Sequence, residues 1–143
     1  MGEAREALER STEAFLRGDL EAAANCYAED AVAVTPDEGE IRGREQIVRY
    51  MTEFLRAFPD ADYEYLNRYE TGSTAIDEGY LVGTNTAELP LPDGRTIAAT
   101  GMRVRLRECD LVTVEDGLIT SHRFYWNHMD FMSQLGLLDS SAG

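Results

Sequence analysis

At 143 residues the chain has the length of one ordinary domain, enough to bury roughly 70% of the surface its unfolded form would expose. Its 27 Asp and Glu against 13 Lys and Arg give a formal net charge of -14, which repels nucleic-acid phosphates and anionic lipid and argues against either as a partner. No run approaches the ~20 apolar residues of a membrane span, and the charged start Met1-Gly2-Glu3-Ala4-Arg5 is no signal-peptide core. Cys26 and Cys109 stand far apart with no C-x-x-C spacing, which suits two free thiols in a reducing cytoplasm rather than a disulfide scaffold or a thiolate zinc knuckle.

From Gly2 to about Arg17 good helix formers dominate and Ala4, Leu8 and Phe15 fall on one side, which predicts an amphipathic helix. Gly18 and Asp19 supply a C-cap and an N-cap, and Leu20, Ala23, Ala24 and Tyr27 predict a second short helix. Ala31 to Val34 is a short apolar strand ended by Thr35-Pro36-Asp37, and an acidic loop, Asp37 to Glu40, leads to Gly43. A third helix spans Arg44 to Phe58, with Ile47, Met51, Leu55 and Phe58 at helical spacing and Pro59 as its stop.

Between Ala61 and about Asn127 the helical period disappears, and turn signals at Thr71-Gly72-Ser73, Pro92-Asp93-Gly94 and Glu115-Asp116-Gly117 separate β-rich runs. Four strands are predicted, near Tyr63–Tyr69, Ala75–Ala87, Thr96–Val114 and Leu118–Trp126, the longest of them needing bulges. A last helix, Met129 to Leu137, turns Phe131, Met132 and Leu135 onto the domain before a polar tail, Asp139 to Gly143. Helices followed by a meander make one α+β domain over residues 1–143, in which a strongly curved antiparallel sheet wraps the helices into a cone. The mouth of such a cone is a natural pocket for an apolar small molecule.

Several strings carry a resemblance: Ala28-Glu29-Asp30-Ala31-Val32, Gly43-Arg44-Glu45, Ala57-Phe58-Pro59-Asp60 and Gly83-Thr84-Asn85-Thr86, then Pro92-x-Gly94, Thr100-Gly101, Glu115-Asp116-Gly117-x-Ile119 and Gln134-Leu135-Gly136-Leu137. In this order the chain resembles the SnoaL-like polyketide cyclase family, within the nuclear-transport-factor-2-like superfamily of cone-shaped α+β barrels. The resemblance implies an enzyme of aromatic polyketide or antibiotic biosynthesis that closes a ring by intramolecular aldol condensation, with no metal or organic cofactor. Such chemistry requires a base for the proton α to a carbonyl and donors for the enolate oxygen, in a pocket that excludes water. The family's aspartate stands in the last strand, seven residues before Gln-Leu-Gly, and that position here is Asn127. An amide cannot act as general acid or base, though it can hold an oxyanion. The exchange tilts the reading toward a related branch that hydroxylates anthracycline rings with a partner reductase. Asp130 replaces the missing carboxylate only if the alignment slips. A non-catalytic binding or dimerisation module of the same fold is the alternative, and a homodimer through the outer sheet faces is expected for either.

Alternation from Met102 to Val114 puts Met102, Val104, Leu106, Glu108, Asp110, Val112 and Val114 on the core face and Arg103, Arg105 and Arg107 on the other. Glu108 and Asp110 are then candidate bases with raised pKa values, unless a bulge near Cys109 turns one or both outward toward the arginines. An epoxide hydrolase or ketosteroid-isomerase-like activity would also draw on this pair of carboxylates. Counting from a buried Ile119 places Ser121, Arg123, Tyr125 and Asn127 toward the cavity and His122 outside. Arg123 would clamp a substrate carbonyl or pair with Glu108, while Tyr125 and Trp126 would stack on an aromatic ligand or simply pack. His122 and His128, with no acidic residue at ligand spacing, make a poor metal site. Phe15, Tyr27, Met51, Phe54, Leu55 and Phe58 form the helical wall, of which Phe15, Met51, Phe54 and Phe58 are expected to touch substrate.

Overall fold

The computed structural model of the protein describes residues 2–91 and 93–138, so Pro92 and the tail Asp139–Gly143 lie outside the described residues. Helix α1 (Glu3–Leu16) buries Ala4, Ala7, Leu8 and Ala14 on one face and carries Glu3 and Glu6 in its first turn, where carboxylates oppose the helix dipole. Asp19 then caps α2 (Leu20–Ala24) by accepting the Ala22 N–H at 3.0 Å. The predicted second helix ends sooner than expected. Tyr27 already belongs to β1 (Tyr27–Thr35) rather than to that helix, and the acidic loop is a hairpin, because β2 (Gly39–Arg42) pairs back antiparallel on β1. Thr35 Oγ1 accepts the Glu38 N–H and Gly39 takes φ 75°, which together reverse the chain within the turn.

Helix α3 (Arg44–Ala57) buries Ile47 and Met51 and stops where Phe58 leaves helical geometry ahead of Pro59. Four long strands follow or bracket the remaining turns: β3 (Asp62–Thr71), β4 (Thr74–Thr84), β7 (Arg103–Glu115) and β8 (Leu118–Trp126). The predicted Thr96–Val114 strand is interrupted, since only β6 (Thr96–Ile97) and β7 are extended, with β6 pairing β5 (Leu89–Pro90) in a small separate hairpin. Asn85 ties that excursion together. Its backbone bonds Met102 and Gly101, its Oδ1 accepts from the Thr100 N–H and hydroxyl, and its Nδ2 donates to the Ala57 and Ala87 carbonyls.

Among the described residues the main sheet has six strands in the order β2-β1-β8-β7-β4-β3, antiparallel except where β1 and β8 run parallel, and with four helices it forms a mixed α+β fold in which the curled sheet encloses a cone. Asp116 at φ 52° and Gly117 at φ 78° make the left-handed pair that a tight β7–β8 hairpin needs. Helix α4 (His128–Gln134) packs against β7, and Gln134 completes the sheet there: its Oε1 accepts the Arg105 N–H at 2.7 Å and its Nε2 donates to the Arg105 carbonyl at 3.0 Å. One apolar cluster packs α1 and β1 around Leu8, Tyr27, Ile47 and Ile119, and a second gathers Phe58, Val104, Leu106, Phe131 and Leu135. Burial of each large side chain contributes about 1.5–3 kcal/mol.

On the outer face Arg105 pairs with Glu64 at 2.8 Å and Arg107 with Glu78 at 3.4 Å, so these arginines find acidic partners within their own chain. Met102, expected in the core, is 46% exposed, because β7 begins only at Arg103 and alternation has no sheet to act on before that residue. Among the described residues no helix is long and apolar enough to cross a membrane.

Candidate active site

The β4–β7 ladder runs unbroken from Thr74 opposite Thr113 to Thr84 opposite Arg103. No bulge occurs at Cys109, so alternation carries straight through and sends Val104, Leu106, Glu108, Asp110, Val112 and Val114 inward. Glu108 is 7% exposed and Asp110 8%. Both carboxyl groups face the cone.

Strand β8 behaves differently. Thr113 pairs with Ser121 but Val114 pairs with Ile119, so Thr120 is an extra residue in a bulge, its hydroxyl donating to the Thr113 carbonyl at 3.2 Å. One inserted residue exchanges the two faces of everything beyond it. Ile119 points inward before the bulge, and His122, Phe124 and Trp126 line the cavity after it. Arg123 and Tyr125 therefore project outward and are exposed, which overturns their expected places in the site. Asn127 is exposed as well: it is the N-cap of α4, accepting the Asp130 N–H at 3.0 Å through Oδ1. Asp130 in turn accepts a hydrogen bond from Gln134 and does not line the cavity.

What the bulge delivers is a buried polar line. The His122 ring, 5% exposed, lies 2.9 Å from Asp110 Oδ1 through Nε2 and 2.6 Å from the Tyr27 hydroxyl through Nδ1. Asp110 can only accept when ionised, so Nε2 carries the proton and Nδ1 accepts from Tyr27. Burial, and next the negative charge of Asp110, push the Tyr27 phenol far above its ordinary range, so it remains a donor. Ser11 stands beside the same phenol. Phe124 stacks on the imidazole with ring centroids 3.8 Å apart and fixes its plane.

The Glu108 carboxyl lies within hydrogen-bonding reach of Asp110, and burial first, then the Asp110 charge, raise it well above the usual carboxylate range. Two adjacent buried carboxyls hold one proton between them, which leaves a donor beside a charged acceptor. Tyr63 donates to the Glu108 carbonyl at 3.0 Å and holds the strand in place beneath the pair.

This arrangement makes stability depend on pH. Unfolded glutamate loses its proton near pH ~4.3, whereas folded Glu108 retains it to higher pH; between those values the native state binds more protons, so its stability falls as pH rises. Glu108→Gln keeps the shape and removes the titration. Calorimetry from pH 5 to 8 is expected to show the wild type losing on the order of 1–3 kcal/mol relative to the variant. Parallel curves for the two proteins would mean that Glu108 titrates like a surface carboxylate.

Above the polar floor the walls are apolar. Phe15, Met51 and Phe54 come from the helices as expected, with Leu106, Trp126 and Phe131 opposite them. Phe58 does not reach the cavity: fully buried, it stacks behind Phe54 with centroids 4.7 Å apart. The mouth has one acidic lip, Asp37, Glu38 and Glu53, with the Tyr50 hydroxyl donating to Asp37 at 2.8 Å, and one apolar lip, Leu89 to Leu91. Among the described residues no group of three or more His, Cys, Asp or Glu side chains is placed to hold a metal ion, and both cysteines are free thiols.

Residues 8–122 match the family described as the SnoaL-like domain, which is most of the chain. The chain belongs to the SnoaL-like family. Among solved structures it is similar to a candidate SnoaL-like polyketide cyclase from Jannaschia sp. CCS1, at 15% identity and a TM-score of 0.83 over 96% of this chain and 94% of that one. AclR, a candidate hydroxylase from Streptomyces galilaeus, is 21% identical with a TM-score of 0.79 over 96% of this chain and 98% of its own. An epoxide hydrolase of the LEH-like type from M. tuberculosis is 20% identical, with a TM-score of 0.71 over 93% and 89%. At such identities the likeness of this SnoaL-like chain to them establishes the fold alone, and that fold hosts several chemistries. No curated protein sequence matches it.

Proposed function

We propose that the protein is a cofactor-independent acid–base enzyme acting on a polycyclic, polyketide-type ketone or ester in the cone, and that its reaction is enolisation followed by aldol-type ring closure. The observation that carries this reading is the Asp110–His122–Tyr27 line with Glu108 beside it, at the bottom of an aromatic cavity. Asp110 takes the proton α to a carbonyl through the oxygen not bonded to His122, and His122 and Tyr27 hold that carboxylate in one orientation. Glu108, kept protonated by its surroundings, donates to the developing enolate oxygen. The chain contains no lysine, so proton abstraction falls to a carboxylate rather than to a lysine amine. The aromatic walls hold a flat ring system and keep water from the enolate.

The hydroxylase reading leaned on Asn127 replacing a catalytic aspartate, and Asn127 caps a helix outside the cavity. Its remaining support is the likeness to AclR. A mass-spectrometric assay separates the readings, using a panel of neutral anthracycline-type intermediates with and without a short-chain reductase and nicotinamide cofactor. Products of unchanged formula, or lacking one water, are expected. A product carrying one more oxygen would replace ring closure with hydroxylation, and saturable binding without turnover would make the protein a ligand-binding module.

A further inference from the structure

One buried charged group has no part in the proposed chemistry, yet it adjoins the reacting carboxylates. Asp77 is 1% exposed and pairs directly with Asp110 across the β4–β7 ladder, on the inward face. Side chains so opposed have Cβ atoms about 5 Å apart. Asp77 Oδ1 accepts from Arg5 Nη2 and, at 3.1 Å, from Arg68 Nε, while its buried Oδ2 has no partner among the described residues. Arg5 reaches this point from the first turn of α1, and its Nη1 is held by the Tyr69 and Ile76 carbonyls, each at 3.2 Å.

The start of α1 is already fastened by Glu70, which accepts the backbone N–H groups of Gly2 and Arg5. A buried ion pair gives little net stability over apolar residues of the same volume, and this one leaves both Arg5 Nε and Asp77 Oδ2 unsatisfied. The charges are of both signs and close at hand: Arg5 and Arg68 meet at Asp77, Glu9 lies 3.7 Å from Arg68, and Asp77 stands opposite Asp110, so the Glu108–Asp110 pair, which carries one negative charge when it shares a proton, has a fixed anion and its arginine partners beside it.

We propose that Arg5 and Asp77 are positioning residues that fix, through their opposite charges, where the Glu108–Asp110 pair holds its proton. This rests on the reading of that pair as the reacting carboxylates. The other groups that face the pair are Tyr27 from β1, Tyr63 and Tyr65 from β3 and His122 from β8, while Cys109 lies between the two carboxylates on the opposite face of β7 and Glu9 on α1 contacts Arg68. The charged groups nearest the pair are Asp77 in the ladder itself and, grouped on it, Arg5 from α1 and Arg68 from β3. Removing Arg5 makes deprotonation of the pair harder, and removing the Asp77 charge makes it easier.

The test follows the protein's two histidines, His122 and His128, by NMR through a pH titration, with His128→Gln to assign the ring signals. His122 touches Asp110, so its signals report ionisation of the carboxyl pair, and Glu108→Gln identifies the inflection that belongs to it. Arg5→Met is expected to move that inflection up by about half a pH unit or more, and Asp77→Asn to move it down by a similar amount. Arg5→Lys, which keeps the charge and loses the fork of hydrogen bonds, is expected to leave it near the wild-type position. Shifts of the same sign in Arg5→Met and Asp77→Asn, or none above about 0.2 units, would overturn the proposal, because a purely structural pair has no reason to act with opposite signs. Should Arg5→Met fail to fold, the isosteric Asp77→Asn with the Arg5→Lys control decides alone. Failure of every substrate in the turnover panel would sink ring closure and leave this titration standing.

Discussion

Asp110→Asn is expected to lower kcat on the true substrate by about 10³-fold while leaving ligand binding in the cone almost unchanged. The amide keeps the volume and can still accept the His122 Nε2 proton, so the 2.9 Å contact survives and the fold with it. Only proton abstraction is lost. Turnover and ligand affinity measured on the same preparation check this, with Asn127→Asp as the control: aspartate caps a helix as well as asparagine does, and this one lies outside the cavity. A variant of Asp110 that retains wild-type kcat would remove the base from the proposed reaction, and a gain of activity in Asn127→Asp would place the catalytic carboxylate at position 127 instead.

The second large effect is on stability. Gly79→Val is expected to cost about 3 kcal/mol or more and to lower the thermal midpoint by roughly 10 °C. Gly79 stands opposite Glu108 on one side and Tyr65 on the other. The β3 backbone kinks over it at the bulge between Tyr65 and Asn67, and a Cβ there would meet the Glu64 carbonyl oxygen and, at 2.8 Å, the Tyr63 ring. The backbone cannot yield without breaking the ladder, and the Tyr63 ring cannot yield without releasing the Glu108 carbonyl. Calorimetry with wild type and variant at one pH checks the figure; a loss below about 0.5 kcal/mol would show that β3 is freer to move than its ladder implies.

The strings that carried the family resemblance are, in the folded chain, mostly structural. Asp60 accepts the Thr84 N–H at 2.7 Å, Asn85 ties Ala57 to Thr100, Gly43 opens α3 at φ 91°, and Gln134 supplies the sheet bonds missing at Arg105. They are recognisable because a turn, a cap or a buried amide tolerates few residue types. That is why they report the fold and say little about the reaction.

The residues of the candidate site divide along the same line. Glu108 and Asp110 were legible because β7 holds a strict two-residue period against an unbroken partner. His122 and Tyr27 were not. Counting from Ile119 put His122 outside, and the apolar pair Phe124 and Trp126, taken as the start of the count, would have placed it inside; nothing local to Thr120 decides between the two. Tyr27 read as the end of a helix because Leu20, Ala23 and Ala24 precede it at helical spacing. Residues near in sequence thus determined period, charge, caps and turns, each of which depends on local sterics and solvation. The bulge at Thr120, the ion pair of Arg5 with Asp77 and the contact of His122 with Asp110 depend on which strands become neighbours, and only long-range packing of the sheet around the helices settles that.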